Sequence, residues 1–337
     1  MKAAEAGYDK AQYQLAACYV NGKGPDQNYE IAFKWIRKAA MQGDAQAEFA
    51  LGESYLRGKG VKPDMPEAVK WFEKAAGKGV AEAQFKCGLA YLNGEGVAKD
   101  FVAATNWLHQ AAVQGNTLAQ AQIGFCHIMV KDYVEAASWL LKAADAGNPR
   151  AQYELGKLYF QGLGVTKDFD EAAKWIHKGA DQGSADAEDT LGLLYEEGKG
   201  VPQDKEEALK WKLKAAAKGN PFFEFNLGAQ YAQRSNYVEA AKWYMRSAEQ
   251  GFPHGQNNLG YCYDLGQGVP KDWPEAYKWY QLAIAQHLRR AEVNLERLLP
   301  KLSAVQIAEG EKRLNAFVLK PFKATNSIDD SSGQPKN

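Results

Sequence analysis

Residues 64–79 read DMPEAVKWFEKAAGKG, and variants of this stretch recur along the chain. Tryptophans mark the recurrence at intervals of 36, 36, 32, 36, 36, 32 and 36 residues: Trp35, Trp71, Trp107, Trp139, Trp175, Trp211, Trp243 and Trp279. Self-similarity at such a period is typical of stacked copies of one supersecondary unit. The sequence therefore predicts an all-α solenoid of antiparallel helix pairs, with about seventeen or eighteen helices and no single large core.

The second helix of each unit has a well-marked start. An Asp or Asn stands seven residues before every Trp of the series, where its side chain can accept hydrogen bonds from the first free amides of a helix. These predicted N-caps are Asn28, Asp64, Asp100, Asp132, Asp168, Asp204, Asn236 and Asp272. In six units a Glu follows three residues later, as Glu67 follows Asp64, which predicts capping boxes. A row of acids that bind cations is the alternative, but capping explains both the spacing and the Glu.

The first helix of each unit is predicted from small and apolar residues at helical spacing. In the second unit these are Ala47, Leu51, Gly52 and Tyr55. A glycine inside a helix costs about 1 kcal/mol against alanine, so its recurrence predicts the close approach of a neighbouring helix. A G-x-G turn follows in six units, as at residues 58–60. We interpret it as turn chemistry, because a phosphate-binding loop needs a preceding strand and none is predicted.

Repeat boundaries follow from these signals. Residues 1–7 match the end of a preceding unit, so we expect the natural start, with any signal peptide, to lie upstream. Eight repeats follow, of which the fourth and seventh are four residues short: 8–43, 44–79, 80–115, 116–147, 148–183, 184–219, 220–251 and 252–287. We predict capping helices over 288–319, because arrays cover their last apolar face. The polar residues 320–337 predict a disordered tail.

Composition excludes some classes of partner. Lys+Arg and Asp+Glu are both 41, so the net charge is zero, no long basic run exists, and nucleic acid is not an expected partner. No apolar run approaches the ~20 residues that cross a bilayer. Of the four cysteines, only Cys87 and Cys126 fall in adjacent repeats at a separation that a disulfide could bridge. We expect buried free thiols in a monomeric chain.

No motif for catalysis or metal binding is found. The histidines, with no carboxylate or thiol partner at ligand spacing, are His109, His127, His177, His254 and His287. Neither G-x-S-x-G nor H-E-x-x-H occurs. We therefore expect no metal, no cofactor and no enzyme, although convergent side chains could build a site that motifs do not show.

The second unit resembles the Sel-one-like repeat family, relatives of tetratricopeptide repeats with a longer, Gly-rich turn. The matching residues are Phe49-Ala50-Leu51-Gly52, Tyr55, Gly58-Lys59-Gly60-Val61, Asp64 and residues 67–76. The resemblance extends over residues 9–287. It implies a right-handed superhelical solenoid whose first helices line a concave surface. Cysteine-rich members, some described as β-lactamases or penicillin binders, carry a Cys pair in each repeat; this chain lacks those pairs, so that activity is not transferred.

The resemblance also implies a function. Members act as adaptors and scaffolds, in bacteria in envelope assembly, signalling and host interaction, in eukaryotes in ubiquitin-ligase complexes at the endoplasmic reticulum. We therefore expect a protein-binding scaffold; the turns look bacterial, which favours a host-interaction factor with a host protein as partner. A binder of small molecules or lipid headgroups through basic groove residues is the alternative, and a cell-wall-active enzyme is a third, disfavoured hypothesis. The resemblance favours a secreted or periplasmic location, with the cytoplasm as alternative.

The expected binding surface is the face of the first helices that packing leaves unused. Counted from the helical Gly, positions −6, −2, +1 and +5 lie on one such face. This stripe varies between units and includes Arg57, Lys86, Phe125, Arg150, Lys157, Phe222, Asn226 and Tyr261. Aromatic residues and Arg dominate binding energy in interfaces, so we predict these eight as partner-binding residues. An ordinary solvated face is the alternative.

Overall fold

The computed structural model describes residues 1–23 and 25–320. Within these ranges all regular structure is helical, with nineteen α-helices and one 3-10 turn, so the all-α prediction is confirmed. The helices are α1 Lys2–Glu5, α2 Asp9–Asn21, α3 Tyr29–Met41, α4 Ala45–Arg57, α5 Met65–Gly77, α6 Ala81–Asn93, α7 Phe101–Val113, α8 Thr117–Met129, α9 Tyr133–Asp145, α10 Pro149–Gln161, α11 Phe169–Asp181, α12 Ala185–Glu197, α13 Lys205–Ala217, α14 Pro221–Gln233, α15 Tyr237–Glu249, α16 Pro253–Leu265, α17 Trp273–Ile284, α18 Arg289–Leu298 and α19 Ala304–Asn315, with the 3-10 turn at Leu299–Lys301.

The helices group into two compact units, Met1–Asp168 (unit 1) and Phe169–Asn337 (unit 2). Even-numbered helices are the first helices of the repeats and odd-numbered helices from α3 onward are the second. Within each unit a first helix packs against the second helix that follows it, as α8 packs on α9 and α14 on α15. Successive first helices also touch, α8 with α10 in unit 1, and α14 with α16 and α16 with α18 in unit 2. We call this line of helices the first-helix row of each unit.

The predicted N-caps of the second helices are present where the structure describes them. The caps that accept a backbone N–H of the first turn are Asn28, Asp64, Asp100, Asp132, Asp204, Asn236 and Asp272. The capping boxes predicted in five of these units do not form. The N–H of Asp64 already donates to the carbonyl of Tyr55 at 3.0 Å, so this N–H is not available to the Glu67 carboxylate. Glu67 pairs instead with Lys70 at 2.6 Å.

The reciprocal box does form at the last helix. The Ser303 hydroxyl accepts from the Gln306 backbone at the start of α19, and the Gln306 side chain accepts from the Ser303 N–H. This helix lies within residues 288–319, where capping helices are predicted from the sequence. The chain before Ser303 is the 3-10 turn, with no preceding helix carbonyl bonded to the Ser303 N–H among the described residues.

The second glycine of each G-x-G turn lies against the neighbouring repeat. Gly164 has φ +70, and an added Cβ would lie 2.0 Å from the carbonyl oxygen of Tyr133, the first residue of α9. In the short fourth and seventh repeats, which lack the motif, Lys131 (φ 61) and Ser235 (φ 58) adopt the left-handed conformation. Non-glycine residues in that region carry a strain of about 1–3 kcal/mol. Gly24, in the first such turn, lies outside the described residues.

The recurring glycine inside each first helix lies against the second helix of the same repeat. An added Cβ at Gly124 would lie 2.7 Å from the Leu140 side chain, and one at Gly228 would lie 2.7 Å from the Tyr244 ring. These distances are far below van der Waals contact, so an added Cβ would have to displace the Leu140 or Tyr244 side chain. The first repeat instead has Ala16 at this position, where it is fully buried. The close approach predicted from the sequence is present, and its partner is the residue that follows the Trp.

The Trp series is buried to different degrees. Trp139, Trp175, Trp211 and Trp279 are buried, and the other four are half-buried. A basic side chain three residues on covers most of these indoles, as Lys214 lies 3.6 Å from the Trp211 ring centroid. The His177 ring meets the Trp211 ring edge-on at 5.5 Å. The Trp is therefore buried in half of the repeats and half-buried in the others, and a cation covers the ring in both groups.

The C-terminal helices cover the end of unit 2. Both α18 and α19 contact α17, and Phe317 packs edge-on against Trp279 with ring centroids 5.0 Å apart. The Lys320 N–H donates to the Glu249 carbonyl at 2.8 Å. The predicted disordered tail lies outside the described residues apart from Lys320.

We expect Gly164→Ala to lower the thermal midpoint far more than Gly147→Ala. Both glycines have positive φ, but an added Cβ at Gly147 would meet nothing within 4 Å, whereas at Gly164 it would overlap a carbonyl oxygen. Gly147→Ala then carries only the left-handed strain of about 1–2 kcal/mol. Thermal unfolding followed by circular dichroism measures both, and equal midpoints would show that the close contact at Gly164 relaxes without loss.

Truncation of Trp211 should destabilise the fold by about 3–5 kcal/mol, the usual loss for a buried Trp. Trp211 is 5% exposed. Lys214→Ala serves as the control, because removal of an exposed cation from an aromatic ring costs only about 0.5–1 kcal/mol. Denaturant unfolding provides both values. A Trp211→Ala variant as stable as wild type would place the indole on a surface and not in the core.

Candidate functional site

The eight predicted partner-binding residues all lie on first helices, and each is exposed or half-buried. In unit 1, Glu53 links two of them: its carboxylate lies 2.7 Å from Arg57 Nε and 3.4 Å from Lys86 Nζ. Arg57 also lines a pocket of about 340 Å³ between α2 and α4, with Tyr13 and Phe49 among its walls. The two cations therefore share one acid and do not form an isolated basic patch.

The remaining predicted residues of unit 1 lie further along the row. The Arg150 guanidinium stacks 4.2 Å from the Phe125 ring centroid, so this aromatic, for which the sequence offered no place in the core, is half-buried under a cation. Lys157 Nζ lies 2.8 Å from the Glu154 carboxylate. Such stacked and paired side chains are ordered before a partner arrives, which reduces the entropy lost on binding.

In unit 2 the three predicted residues are separated. Phe222 is 47% exposed and meets the rings of Phe223 and Phe252 edge-on, at 5.4 and 6.1 Å. The Asn226 carboxamide donates to Asp189 at 3.0 Å. Tyr261 lines a larger pocket one repeat further on. The structure thus brings the eight residues together in small groups, and Arg57 and Tyr261 each line a pocket.

This cavity, of about 510 Å³, lies between α14, α15, α16 and α18. We call it the C-terminal pocket and define it by its polar lining, Tyr237, Tyr244, Asn257, Asn258, Tyr261, Gln267, Arg290, Asn294 and Arg297. Its size is within the usual range for ligand sites. Three first helices and one second helix therefore bring amides, hydroxyls and two guanidinium groups to one place.

The amides of the C-terminal pocket form a directed chain of hydrogen bonds. Asn294 Nδ2 donates to Asn257 Oδ1 at 2.8 Å, and Asn257 Nδ2 donates to Asn258 Oδ1 at 3.0 Å. The Asn258 carboxamide is in turn hydrogen-bonded to the Tyr244 hydroxyl. Burial raises the pKa of that hydroxyl, and the hydrogen bond with Asn258 opposes this rise. Since each amide uses its nitrogen as donor, the chain ends at the Tyr244 hydroxyl and starts at Asn294.

The charges around the C-terminal pocket are unbalanced. Asp264, which is 1% exposed, lies 3.1 Å from Arg297 and 3.8 Å from Lys301, so Arg297 is neutralised from behind. No acidic residue lines the pocket itself, and within residues 1–23 and 25–320 Arg290 has no ion-pair partner. A nearby anion would therefore meet one uncompensated positive charge.

A second polar group lies two repeats earlier on the same row. Lys212 is 5% exposed and pairs with Glu196 at 2.8 Å, at a position where the other repeats carry Ile, Leu, Phe or Tyr. Asp189 accepts from Asn226 here just as Asn257 accepts from Asn294 in the C-terminal pocket. Burial raises the pKa of the Asp189 carboxyl, and this effect exceeds the opposing effects of Lys212 and Asn226.

The sequence interpretation missed most of these residues. Three positions before the helical Gly, unit 1 has Phe49, Phe85, Ala121 and Tyr153, whereas unit 2 has Asp189, Phe225 and Asn257. Four positions after it, Glu196 and Asp264 replace aliphatic or aromatic residues. Polar residues at positions that are apolar elsewhere were therefore the available signal. Arg290, Asn294 and Arg297 fall at stripe positions −6, −2 and +1 if the register is continued into α18.

Two histidines do have carboxylate partners, which corrects the sequence interpretation. Nδ1 of His127 lies 3.3 Å from Asp132, and Nδ1 of His177 lies 2.9 Å from Asp181. These are pairs, and the described residues contain no group of three His, Cys, Asp or Glu side chains able to hold a metal ion. None of the helices in the described ranges has the length and apolar character needed to cross a membrane.

The four cysteines are free thiols in the structure. Cys87, Cys126 and Cys262 are buried, as expected, and Cys18 is half-buried. Burial raises the pKa of the Cys87 thiol to about 12 and that of the Cys262 thiol to about 11. Because the thiolate is the reactive form, these side chains act as small core residues and not as nucleophiles.

Asp189→Asn should stabilise the protein at pH 7, on the order of 1 kcal/mol. The folded pKa of Asp189 is raised, so the wild-type protein loses stability as the pH rises from the ordinary Asp value through the folded value, and the Asn variant does not. Asn257 already fills the equivalent position two repeats later. The gain should disappear at about pH 3.5, below the ordinary Asp pKa.

Urea unfolding at both pH values measures this gain, with Asp186→Asn as control. Asp186 is exposed in the first turn of α12, where an acid interacts favourably with the helix dipole, so its neutralisation should leave stability equal or slightly lower. Equal changes in the two variants would mean that Asp189 is not penalised by burial.

Known proteins share this architecture. The family model described as Sel1 repeat matches residues 9–44, 45–80, 81–116, 119–148, 149–184, 185–220, 223–252 and 253–288. The crystal structure of a Sel1 repeat protein from Oxalobacter formigenes is similar with 32% identity and a TM-score of 0.68, covering 88% of this chain and 88% of that chain.

Two further similarities are more distant or shorter. The crystal structure of c5321, a protective antigen present in uropathogenic Escherichia coli strains and displaying an SLR fold, is 30% identical with a TM-score of 0.54, covering 94% of this chain and 85% of that one. The chitin synthase regulator SKT5 of Saccharomyces cerevisiae is 52% identical over 40 residues, which are 12% of this chain and 6% of that protein. With eight matched repeats that cover most of its length, the chain belongs to the Sel1 repeat family.

Proposed function

We propose that this protein is an adaptor that binds an extended segment of a partner protein along its first-helix rows. Sel1 and tetratricopeptide-like repeat scaffolds generally mediate protein–protein interaction. The observation that carries the proposal is the C-terminal pocket, which lies between three successive first helices and is lined by amides, hydroxyls and guanidinium groups. These groups match the donors and acceptors of a polypeptide backbone.

The spacing of the row supports an extended peptide. Asn226, Asn258 and Asn294 occupy position −2 of three successive first helices, α14, α16 and α18. Neighbouring packed helices are about 8–10 Å apart, which corresponds to about three residues of extended chain at ~3.3 Å each. A strand laid across the row would thus meet one carboxamide every third residue. Exposed Phe222 and Tyr261 flank this line and offer apolar contact.

Each unit contributes its own proposed surface, with the stripe residues Arg57 to Lys157 in unit 1 and Phe222 to Tyr261 in unit 2. We include a bacterial host-interaction role in the proposal, because c5321, which is 30% identical to this chain, is a protective antigen of uropathogenic Escherichia coli. A host protein is then the partner. Binding of a lipid headgroup through the basic residues is the competing outcome of the experiment below.

Selection of linear peptides displayed on phage against the full chain tests the proposal. Enriched peptides should bind Tyr261→Ala at least about tenfold more weakly than wild type, since interface aromatics of this kind contribute about 1.4 kcal/mol or more. Phe125→Ala and Lys157→Ala should weaken peptides that bind the first-helix row of unit 1. Fluorescence anisotropy gives the affinities.

Lys242→Ala is the control, because Lys242 is exposed on the second helix α15. If the three first-helix variants bind normally and Lys242→Ala binds weakly, the partner lies on the second helices. If no peptide is enriched and vesicles with anionic lipid bind instead, the protein is not the peptide-binding adaptor proposed here.

A further inference from the structure

We propose that the C-terminal pocket is specific for an acidic residue of the partner segment, with Arg290 as the ion-pair partner of its carboxylate. This inference rests on the proposed function and names the side chain that the pocket selects. It goes beyond backbone recognition, because it assigns a charge and a direction to the bound segment.

The charge follows from the balance of ions in unit 2. Arg297 is held by the buried carboxylate of Asp264 at 3.1 Å, so it already has its anion. Arg290 lines the same cavity, is exposed, and has no acidic partner within the part of the chain that the structure describes. Charged hydrogen bonds from Arg to a carboxylate are about twice as strong as neutral ones. The pocket therefore attracts a single negative charge at the position of Arg290.

The direction follows from the chain of amides. Burial raises the pKa of the Tyr244 hydroxyl, and the hydrogen bond with Asn258 and the charge of Arg290 only partly oppose this rise. The hydroxyl therefore keeps its proton and can donate it. At the other end, Asn294 uses its nitrogen on Asn257, which leaves its carbonyl oxygen to accept. The pocket thus offers donors beside Arg290 and an acceptor at Asn294. A carboxylate can accept from the donors beside Arg290, and a peptide N–H can donate to the Asn294 carbonyl oxygen.

Tyr261 completes the recognition surface. Its ring is 37% exposed, and the Arg297 guanidinium lies 5.5 Å from the ring centroid. Because Asp264 fixes Arg297 from behind, the ring and guanidinium form a wall that is ordered before binding. This wall offers apolar and cation–π surface to the methylene groups of a Glu or Asp side chain.

A carboxylate fits this arrangement better than a phosphate. A phosphoryl group carries a charge of about −1.5 to −2 near neutral pH, and phosphorylated motifs are bound by clusters of Arg. The pocket has one guanidinium without an internal anion, which balances one negative charge. Phosphoserine in place of the acidic residue should therefore give no gain in affinity.

The experiment compares charge removal on both partners, with the peptides enriched on the full chain as probes. An acidic residue should recur at one position of these peptides. Arg290→Gln should then weaken binding about tenfold or more, and so should replacement of the peptide's Glu by Gln on the wild-type protein. The two changes together should weaken binding little more than either alone, because both remove the same ion pair.

Arg289→Gln is the matched control, because Arg289 precedes Arg290 in α18, is equally exposed and does not line the pocket. It should bind the acidic peptide as wild type does, and circular dichroism should show all variants folded. Equal losses in the two Arg variants would reduce the effect to general electrostatics and overturn the inference. Enriched peptides without a recurring acid, or tighter binding of phosphoserine peptides, would overturn it as well.

The two proposals fail in different ways. If no linear peptide is enriched at all, the proposed adaptor function is wrong and the specificity falls with it. If enriched peptides bind Tyr261→Ala more weakly but bind Arg290→Gln with wild-type affinity, the adaptor function stands and only the carboxylate specificity is wrong.

Discussion

In most repeats the two helices meet at a glycine, and the rest of the structure depends on that contact. With no side chain at Gly124 or Gly228, the first helix comes close enough for Leu140 or Tyr244 to lie against its backbone. The turn glycines then bring the next repeat into contact with the start of the preceding second helix, as Gly164 does with Tyr133. Packing therefore fixes a few positions in every repeat and leaves the outer positions of the first helices free to vary.

Unit 2 uses this freedom differently from unit 1. In unit 1 the positions that flank the helical glycine toward the row are mainly aromatic or aliphatic. In unit 2 they include Asp189, Glu196, Asn257 and Asp264, which contact Asn226, Lys212, Asn294 and Arg297 respectively. Buried ion pairs are weak evidence for stability, since apolar residues of similar volume are often as good or better. Their presence along one row is better explained by the polar surface that they support.

Much of the fold could be predicted from sequence, because the Trp spacing, the caps and the glycines are local signals that repeat. The capping boxes were wrong for a tertiary reason: the N–H of Asp64 is already bonded to Tyr55 of the neighbouring helix, which no local pattern shows. The stripe residues do lie on first helices, but the C-terminal pocket was not predicted. Its decisive residues, Arg290, Asn294 and Arg297, lie in α18, where the apolar repeat pattern has decayed and only the register continues.

The missing turn glycines of the two short repeats have a mechanical consequence. A full repeat places a turn glycine against the previous second helix, whereas the turn of the fourth repeat has no glycine, and Phe101 at the start of α7 is 39% exposed. The seventh repeat replaces it with a side chain, as Arg234 reaches the Lys205 carbonyl and lies 3.1 Å from Glu206. A flexible arginine transmits force less stiffly than two backbones in contact. Each unit therefore contains one junction without the turn-glycine contact, and we expect a pulled or bent array to yield there first.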